Sequence, residues 1–390
     1  MSTMAHVAAA QPYPASLDTL PEELQLQVLS YIDGDAPSVT KFSQEPSQSL
    51  TVSETIPLKA LSSVSHHWRR VVLPLLFTSV RATVDEHAHP TPQSESVLQF
   101  LSERELAQHL QSLVLSTDVV HPQSLGEIEP AGRLDLWQRL FSGFSPARVV
   151  VVAPPSTLSY IAGLPLYHED AWKFDIPYQA LELRQDEKRP ADYPEGCVYP
   201  PRSCLFDIGW HHARLNDGSM LQGYNAYDHY YDSPPSVLVS LMTVRRIAQA
   251  FKLRSLTYHA IFPSSVHILR AFSEAFHNGA LANLQSITVQ FAPDPESGLL
   301  DDLAKAGNAN LMDCWVQVDK SYEFIARLLG EVGDNTSLVS FRCYDCRFKA
   351  IAEDLDARFA ALERYGWHRC DEGLWERFPN PEIAPDIKEP

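Results

Sequence analysis

The chain contains no run of about 18 apolar residues, the length a helix needs to cross a bilayer. Met1 to Ala15 carry neither a basic start nor a long apolar stretch of the kind that directs secretion. These absences lead to the expectation of a soluble protein of the cytoplasm, the nucleus or both, with no membrane partner. Cysteine is scarce and scattered, at positions 197, 204, 314, 343, 346 and 370 of 390 residues. That is not the dense framework that staples a small secreted domain. The sequon Asn335-Thr336-Ser337 has no export signal to go with it. Cations are few, 31 Lys and Arg against 49 Asp and Glu, a formal net charge of -18. A broad phosphate-binding surface would work against that field, so nucleic acid is not an expected partner.

Catalytic signatures are missing as well. There is no Gly-x-Ser-x-Gly elbow, no Gly-rich phosphate loop and no His-Glu-x-x-His. No catalytic residue, cofactor or metal is therefore assigned, and the chain is expected not to be an enzyme. Two groups of residues carry ligand chemistry on paper. Cys343-Tyr-Asp-Cys346 has zinc-like spacing and is followed by His368 and Cys370, but core cysteines on a buried strand account for it as well. His211, His212 and His229 with Asp207, Asp217, Asp228 and Asp232 match no ligand motif.

With 45% hydrophobic residues the chain can bury a sizeable core, and its length suits two to three domains. Near the amino terminus, Leu17 to Ile32 reads as a helix with Pro21 at its first position, where a missing N–H costs nothing. Glu22 and Glu23 sit at the positive end of its dipole, and Leu24, Val28, Leu29 and Ile32 recur at helical spacing. A second stretch, Leu58 to Phe77, places Leu58, Leu61, Val64, Trp68 and Val71 on one face. Ser65 is a candidate N-cap dividing it into two helices, and Pro74 ends the regular part. So small a unit buries little surface, and apolar side chains left outside it are expected to meet a partner.

The ordered combination of Leu20-Pro21-Glu22-Glu23-Leu24, Val28-Leu29, Leu58, Leu61, Val64-Ser65 and Trp68-Arg69 resembles the F-box family. The resemblance implies docking on the Skp-type adaptor of a cullin-RING ubiquitin ligase through Leu20, Pro21, Leu24, Val28, Leu29, Leu58, Leu61 and Val64. It also implies that Ile32, Trp68 and Val71 form the internal core of the unit, residues 17–80. The departure from the family pattern is the stretch 33–57, rich in Ser, Pro, Gln and Thr, which reads as a flexible surface insertion. A helical cap on the rest of the chain is the plainer alternative for residues 17–77.

Farther along, a short pattern returns: Leu110-Gln-Ser-Leu-Val-Leu115, Leu253-Arg-Ser-Leu-Thr-Tyr258, Leu284-Gln-Ser-Ile-Thr-Val289 and Leu338-Val-Ser-Phe-Arg-Cys343. Looser copies begin at Pro146, Tyr178, Leu205 and Leu311. Alternating apolar positions over six residues suit a strand with one buried face. Helical stripes lie between them, at Leu269, Phe272 and Phe276, at Tyr322, Ile325, Leu329 and Val332, and at Ile351, Leu355, Phe359 and Leu362. Units of this kind stack into a solenoid, and residues 81–378 resemble divergent leucine-rich repeats, although the Asn that closes regular repeats is missing. A non-repetitive α/β domain is the alternative.

The long interval from Leu205 to Leu253 holds Trp210, Tyr224, Tyr227, Tyr230 and Tyr231, aromatics of the kind that anchor protein interfaces. They are candidates for target binding; packing back onto the body is the competing account. Residues 1–16 and the Pro-rich tail 379–390 are expected to be disordered. The sequence thus reads as an α/β protein, a three-helix F-box followed by an irregular repeat body, serving as substrate receptor in a ubiquitin ligase. A scaffold acting outside degradation and a cryptic metal-binding or hydrolytic domain are the rival readings.

Overall fold

The computed structural model describes residues 17–32, 34, 36–52, 56–120, 131–164, 176–186, 204–207, 209–221, 236–243, 253–277, 279, 282–300, 310–331 and 336–378. The termini expected to be disordered lie outside this set.

The chain opens with α1 (Glu22–Ile32), the short α2 (Pro37–Thr40), α3 (Ile56–Ser62) and α4 (His66–Leu76). Ser65 caps α4 as anticipated, its side chain accepting a hydrogen bond from the Trp68 amide at 3.2 Å. Pro74 does not stop the helix at once but lies in its last turn. Leu29, Leu58, Trp68, Val71 and Val72 form a small core of their own, with Leu17, Leu26, Leu61, Leu75 and Leu76 packed around it.

The body is mixed α/β. Strands β1 (Ser79–Thr83), β2 (Ser112–Ser116), β3 (Arg148–Ala153), β4 (Gln179–Arg184), β5 (His212–Ser219), β6 (Ser255–Ile261), β7 (Ser286–Gln290) and β8 (Ser340–Cys343) lie side by side in chain order. The hairpin β9 (Trp367–Asp371) and β10 (Leu374–Arg377) closes the ten-stranded sheet, with β10 against β8. Most pairings are parallel, but β4 runs antiparallel to both neighbours and the hairpin is antiparallel as well. Between the strands run α5 (Pro92–Glu103), α6 (Ala131–Gly143), α7 (Pro155–Ala162), α8 (Cys204–Asp207), α9 (Val237–Thr243), α10 (Ser265–His277), α11 (Leu311–Glu331) and α12 (Lys349–Ala360).

The strand register turns the sequence pattern into geometry. Leu113, Val149, Leu183, Ala213, Leu256, Ile287, Phe341 and Trp375 form one transverse row, and Leu115, Val151, Leu181, Leu215, Tyr258, Val289 and Cys343 a second. Both rows face the main core, where they meet Leu101, Trp137, Ile161, Leu241, Phe272, Ile325 and Phe359 from the helices. Because side chains alternate along a strand, the serines of the repeated pattern, Ser112, Ser255, Ser286 and Ser340, share a row on the opposite face.

Two of the looser copies prove not to be strands. Leu311 to Val316 opens α11, whose buried positions Cys314, Val318, Tyr322, Ile325 and Leu329 follow the helical period, and six residues were too few to tell the periods apart. Leu205 and Phe206, adjacent and both buried, belong to α8, and the strand begins at His212. In α10 the inward stripe is Ile268, Ala271, Phe272 and Ala275, and Leu269 is exposed.

The stretch 33–57 is not a loose surface loop where it is described. Residues 36–52 lie across the face of the sheet opposite the helices. Phe42 is fully buried against Val114, Val150, Val152 and Ala180. Asn216 Nδ2 donates to the carbonyls of Phe42 and Gln44 at 2.6 and 2.7 Å. Arg148 donates to the Ser38 carbonyl at 2.7 Å and to Ser38 Oγ at 3.1 Å. Gly218, with φ +71°, is required twice over, because a Cβ there would strain the backbone and stand 3.2 Å from Pro46 Cδ. Burial of one Phe and pairing of several backbone carbonyls offset the ordering cost of a polar segment.

Candidate interaction surfaces

The first candidate surface is on α1. Gln25 and Leu29 turn inward. Gln25 Nε2 donates to the carbonyls of Leu17 and Leu20 at 3.2 and 2.9 Å, and its Oε1 accepts from His67 Nε2 at 3.0 Å. That pins the rotation of the helix, and one residue out of phase Leu24 (45% exposed), Val28 (39%) and Ile32 (45%) form an outward stripe. Val64, 68% exposed, is a further apolar side chain on the outside of the unit. Pro21 is exposed and Leu20 and Leu61 half-buried. Three assignments change. Leu29 and Leu58 are wholly buried in the unit's core and offer nothing to a partner, whereas Ile32 is exposed and is not core. Trp68 and Val71 are internal, as expected. The single-period stripe read from the sequence merges two adjacent faces, which differ by only about 100°.

The second is the sheet face opposite the helices, which differs from side to side. Residues 36–52 cover it over β2 to β4 and reach β5 at Arg214, Asn216 and Gly218. Over β6 to β8, Thr257, Thr288, Ser255, Ser286 and Ser340 remain half-exposed, with Arg342 among them, Arg214 of β5 beside them and Arg184 exposed at the end of β4. Where the halves meet, Glu182 Oε2 accepts from Arg148 at 2.8 Å and from Arg214 at 3.3 Å. One largely buried carboxylate thus serves two guanidiniums. Arg214 also lies over the Phe42 ring, 4.4 Å from its centre. Burial pushes the Arg214 pKa below the usual arginine value and Arg148 and Arg184 add to this, while Glu182 opposes it. His259, stacked on Tyr344 and close to Phe42, is driven by burial, and then by Arg214, down to about 3 and stays neutral.

At the other end of β5, Asp217 and, elsewhere, Asp345 are buried on the core side. Asp217 Oδ2 accepts from Ser236 Oγ at 2.7 Å and Tyr258 OH at 2.8 Å. Asp345 Oδ2 accepts from the Phe291 and Ala292 amides, at 2.6 and 2.9 Å, and from the Tyr322 hydroxyl. Burial raises both carboxyls to about 6 against these hydrogen bonds. Sequence reasoning missed these pairs, since their partners lie up to 54 residues apart.

The ligand-bearing groups noted in the sequence are not brought together. Asp217 faces the core, while His211 and His212 meet Asp186, and Arg254 Nη1 donates to the same carboxylate at 2.7 Å. The hydrogen bond from His212 lowers the Asp186 pKa below the ordinary value, with His211 and Arg254 also contributing. Cys343 and Cys346 point into the core, where burial holds the Cys343 thiol well above its usual value, and Cys370 lies exposed on β9. Among the described residues no group of three or more His, Cys, Asp or Glu is placed to hold a metal ion, and no helix is long and apolar enough to cross a membrane. Trp210 is fully buried, its Nε1 donating to the Leu205 carbonyl, so it is a core residue and not a contact for a target. Tyr224, Tyr227, Tyr230 and Tyr231, with His229, Asp228 and Asp232, lie outside the described residues. No protein-family model, curated protein or solved structure matches the chain.

Proposed function

We propose that the chain is an F-box protein, the substrate-recognition subunit of an SCF-type ubiquitin ligase, with a body related to irregular leucine-rich repeats. The observation that carries this reading is the outward stripe of Leu24, Val28 and Ile32, with Val64 also exposed, on a small helical unit whose own core is already filled. Apolar side chains that no internal packing uses are what a docking surface requires. The chain-order strand arrangement and the aligned serine row support a repeat origin for the body. In this reading the chain performs no bond chemistry. The helical unit holds the Skp-type adaptor and its cullin-RING ligase, and the body holds a target protein beside the ubiquitin-charged enzyme, which raises effective concentration.

The test is affinity purification of the full chain with a Skp-type adaptor and cullin. Leu24→Asp with Val28→Asp is expected to weaken adaptor retention by at least about tenfold, with an unchanged melting temperature because both sites are exposed. If the unaltered chain retains no adaptor, the reading fails. Stabilisation of a co-purified protein when the ligase is inhibited separates a degradation receptor from a scaffold.

A further inference from the structure

We infer that the open part of the sheet face, where Thr257, Thr288 and Arg342 stand half-exposed with Arg214 and Arg184 alongside, is the docking surface for an acidic, extended segment of a protein partner. This inference names the class of target for the body and rests on the receptor reading above.

Three observations carry it. The first is charge. Arg184 and Arg342 have no carboxylate within ion-pair distance among the described residues, and Arg214 has only a share of Glu182. Among the described residues Asp186 takes His211, His212 and Arg254, and Asp294 takes Arg347. Glu376 stands at the far edge of the serine row. Two guanidiniums without a carboxylate among the described residues and a third sharing one, on one face of a chain with net charge -18, make a local positive region inside a repulsive field. An anionic segment is turned away elsewhere and admitted here.

The second is spacing. Arg214, Thr257, Thr288 and Arg342 occupy successive strands in one register row. At the interstrand distance the two arginines stand about 14 Å apart with hydroxyls between them, which suits an extended peptide with carboxylates at both ends of the span. The third is precedent in the same molecule. The adjoining half of this face already holds an irregular peptide, residues 36–52, by side-chain donors of the sheet reaching its backbone carbonyls: Arg148 to Ser38, and Asn216 to Phe42 and Gln44. The open half continues that surface without the apolar plug.

The experiment is fluorescence anisotropy of the full chain with labelled decapeptides rich in Glu, Gln, Lys or phosphoserine, at low and physiological salt. The Glu-rich peptide should bind at least about tenfold more tightly than its Gln counterpart, and more weakly as salt rises. Arg184→Glu with Arg342→Glu should cost that binding about tenfold or more. Arg104→Glu with Arg327→Glu, the same charge change on the helix side, should preserve it, and all forms should melt alike. The inference is overturned by equal loss in both variants, by preference for the Gln or Lys peptide, or by binding of the phosphoserine peptide alone. None of these outcomes involves the adaptor, so failure of adaptor binding and failure of this inference are read separately.

Discussion

The two halves of one sheet face answer the same geometric question differently. Across β2 to β4 the outward positions include Val114, Val150, Val152 and Ala180, all buried beneath Phe42; across β6 to β8 the half-exposed outward positions are Ser255, Thr257, Ser286, Thr288, Ser340 and Arg342. The contrast teaches that coverage is written into side-chain choice. Apolar atoms outside the helical layer appear only where another part of the chain removes them from water, and hydroxyls appear where nothing described does.

Substitutions can break that contrast. The largest expected effect is from Phe42→Ala, which empties the covered half of its plug and should cost about 3 kcal/mol in urea unfolding. Hydrogen exchange of residues 36–52 should accelerate with it. Retention of full protection would mean the carbonyl contacts of Asn216 and Arg148 suffice. Next, Val150→Thr buries a hydroxyl with no partner and should cost about 1–2 kcal/mol. A smaller effect concerns the core side. The folded-state pKa of Asp217, about 6, exceeds its reference value of 3.8. The folded chain therefore holds a proton that the unfolded chain releases, and this stability is full below about pH 4 and lost as pH rises through about 6. Relative to Asp217→Asn, the unaltered chain should gain about 1 kcal/mol between pH 7 and pH 5. The smallest effect is from Thr288→Val on the open half, expected within about 0.5 kcal/mol. A cost equal to that of Val150→Thr would erase the distinction between the halves.

Much of the helical unit was legible because its punctuation is local. Pro21 sits at the start of a helix, Ser65 caps another, and Trp68 and Val71 fall on an inward face. The Leu-x-Ser copies located β2, β6, β7 and β8 because a leucine, a serine and alternation together exceed chance. The docked stretch 36–52 reads as a loop for a physical reason: its composition is that of a loop, and only Phe42 and Leu50, scattered among polar residues, mark its burial. A signal was nonetheless present in its partner. Val149-Val-Val-Val152 is apolar at every position, and a strand apolar on both sides must be covered on both sides. The outward stripe on α1 was half legible, since neighbouring positions such as Val28 and Leu29 are equally hydrophobic and only Gln25, held by Leu17, Leu20 and His67, sets the rotation. Trp210 is not legible as core, because an aromatic beside a long irregular interval looks the same from sequence whether it plugs a core or meets a partner.

The docked stretch also settles how the helical unit is mounted. Chain leaving α1 is clamped on the sheet at Phe42 before it returns to α3. Chain leaving α4 passes into β1 within three residues, and Leu73 and Phe77 rest on the main core. A beam held at a single pin swivels; one held at separate points keeps its bearing. Were a molecule seated on Leu24 and Val28 and another along Arg214 and Arg342, as proposed, the distance between them would be set by this frame and not by the slack of a tether.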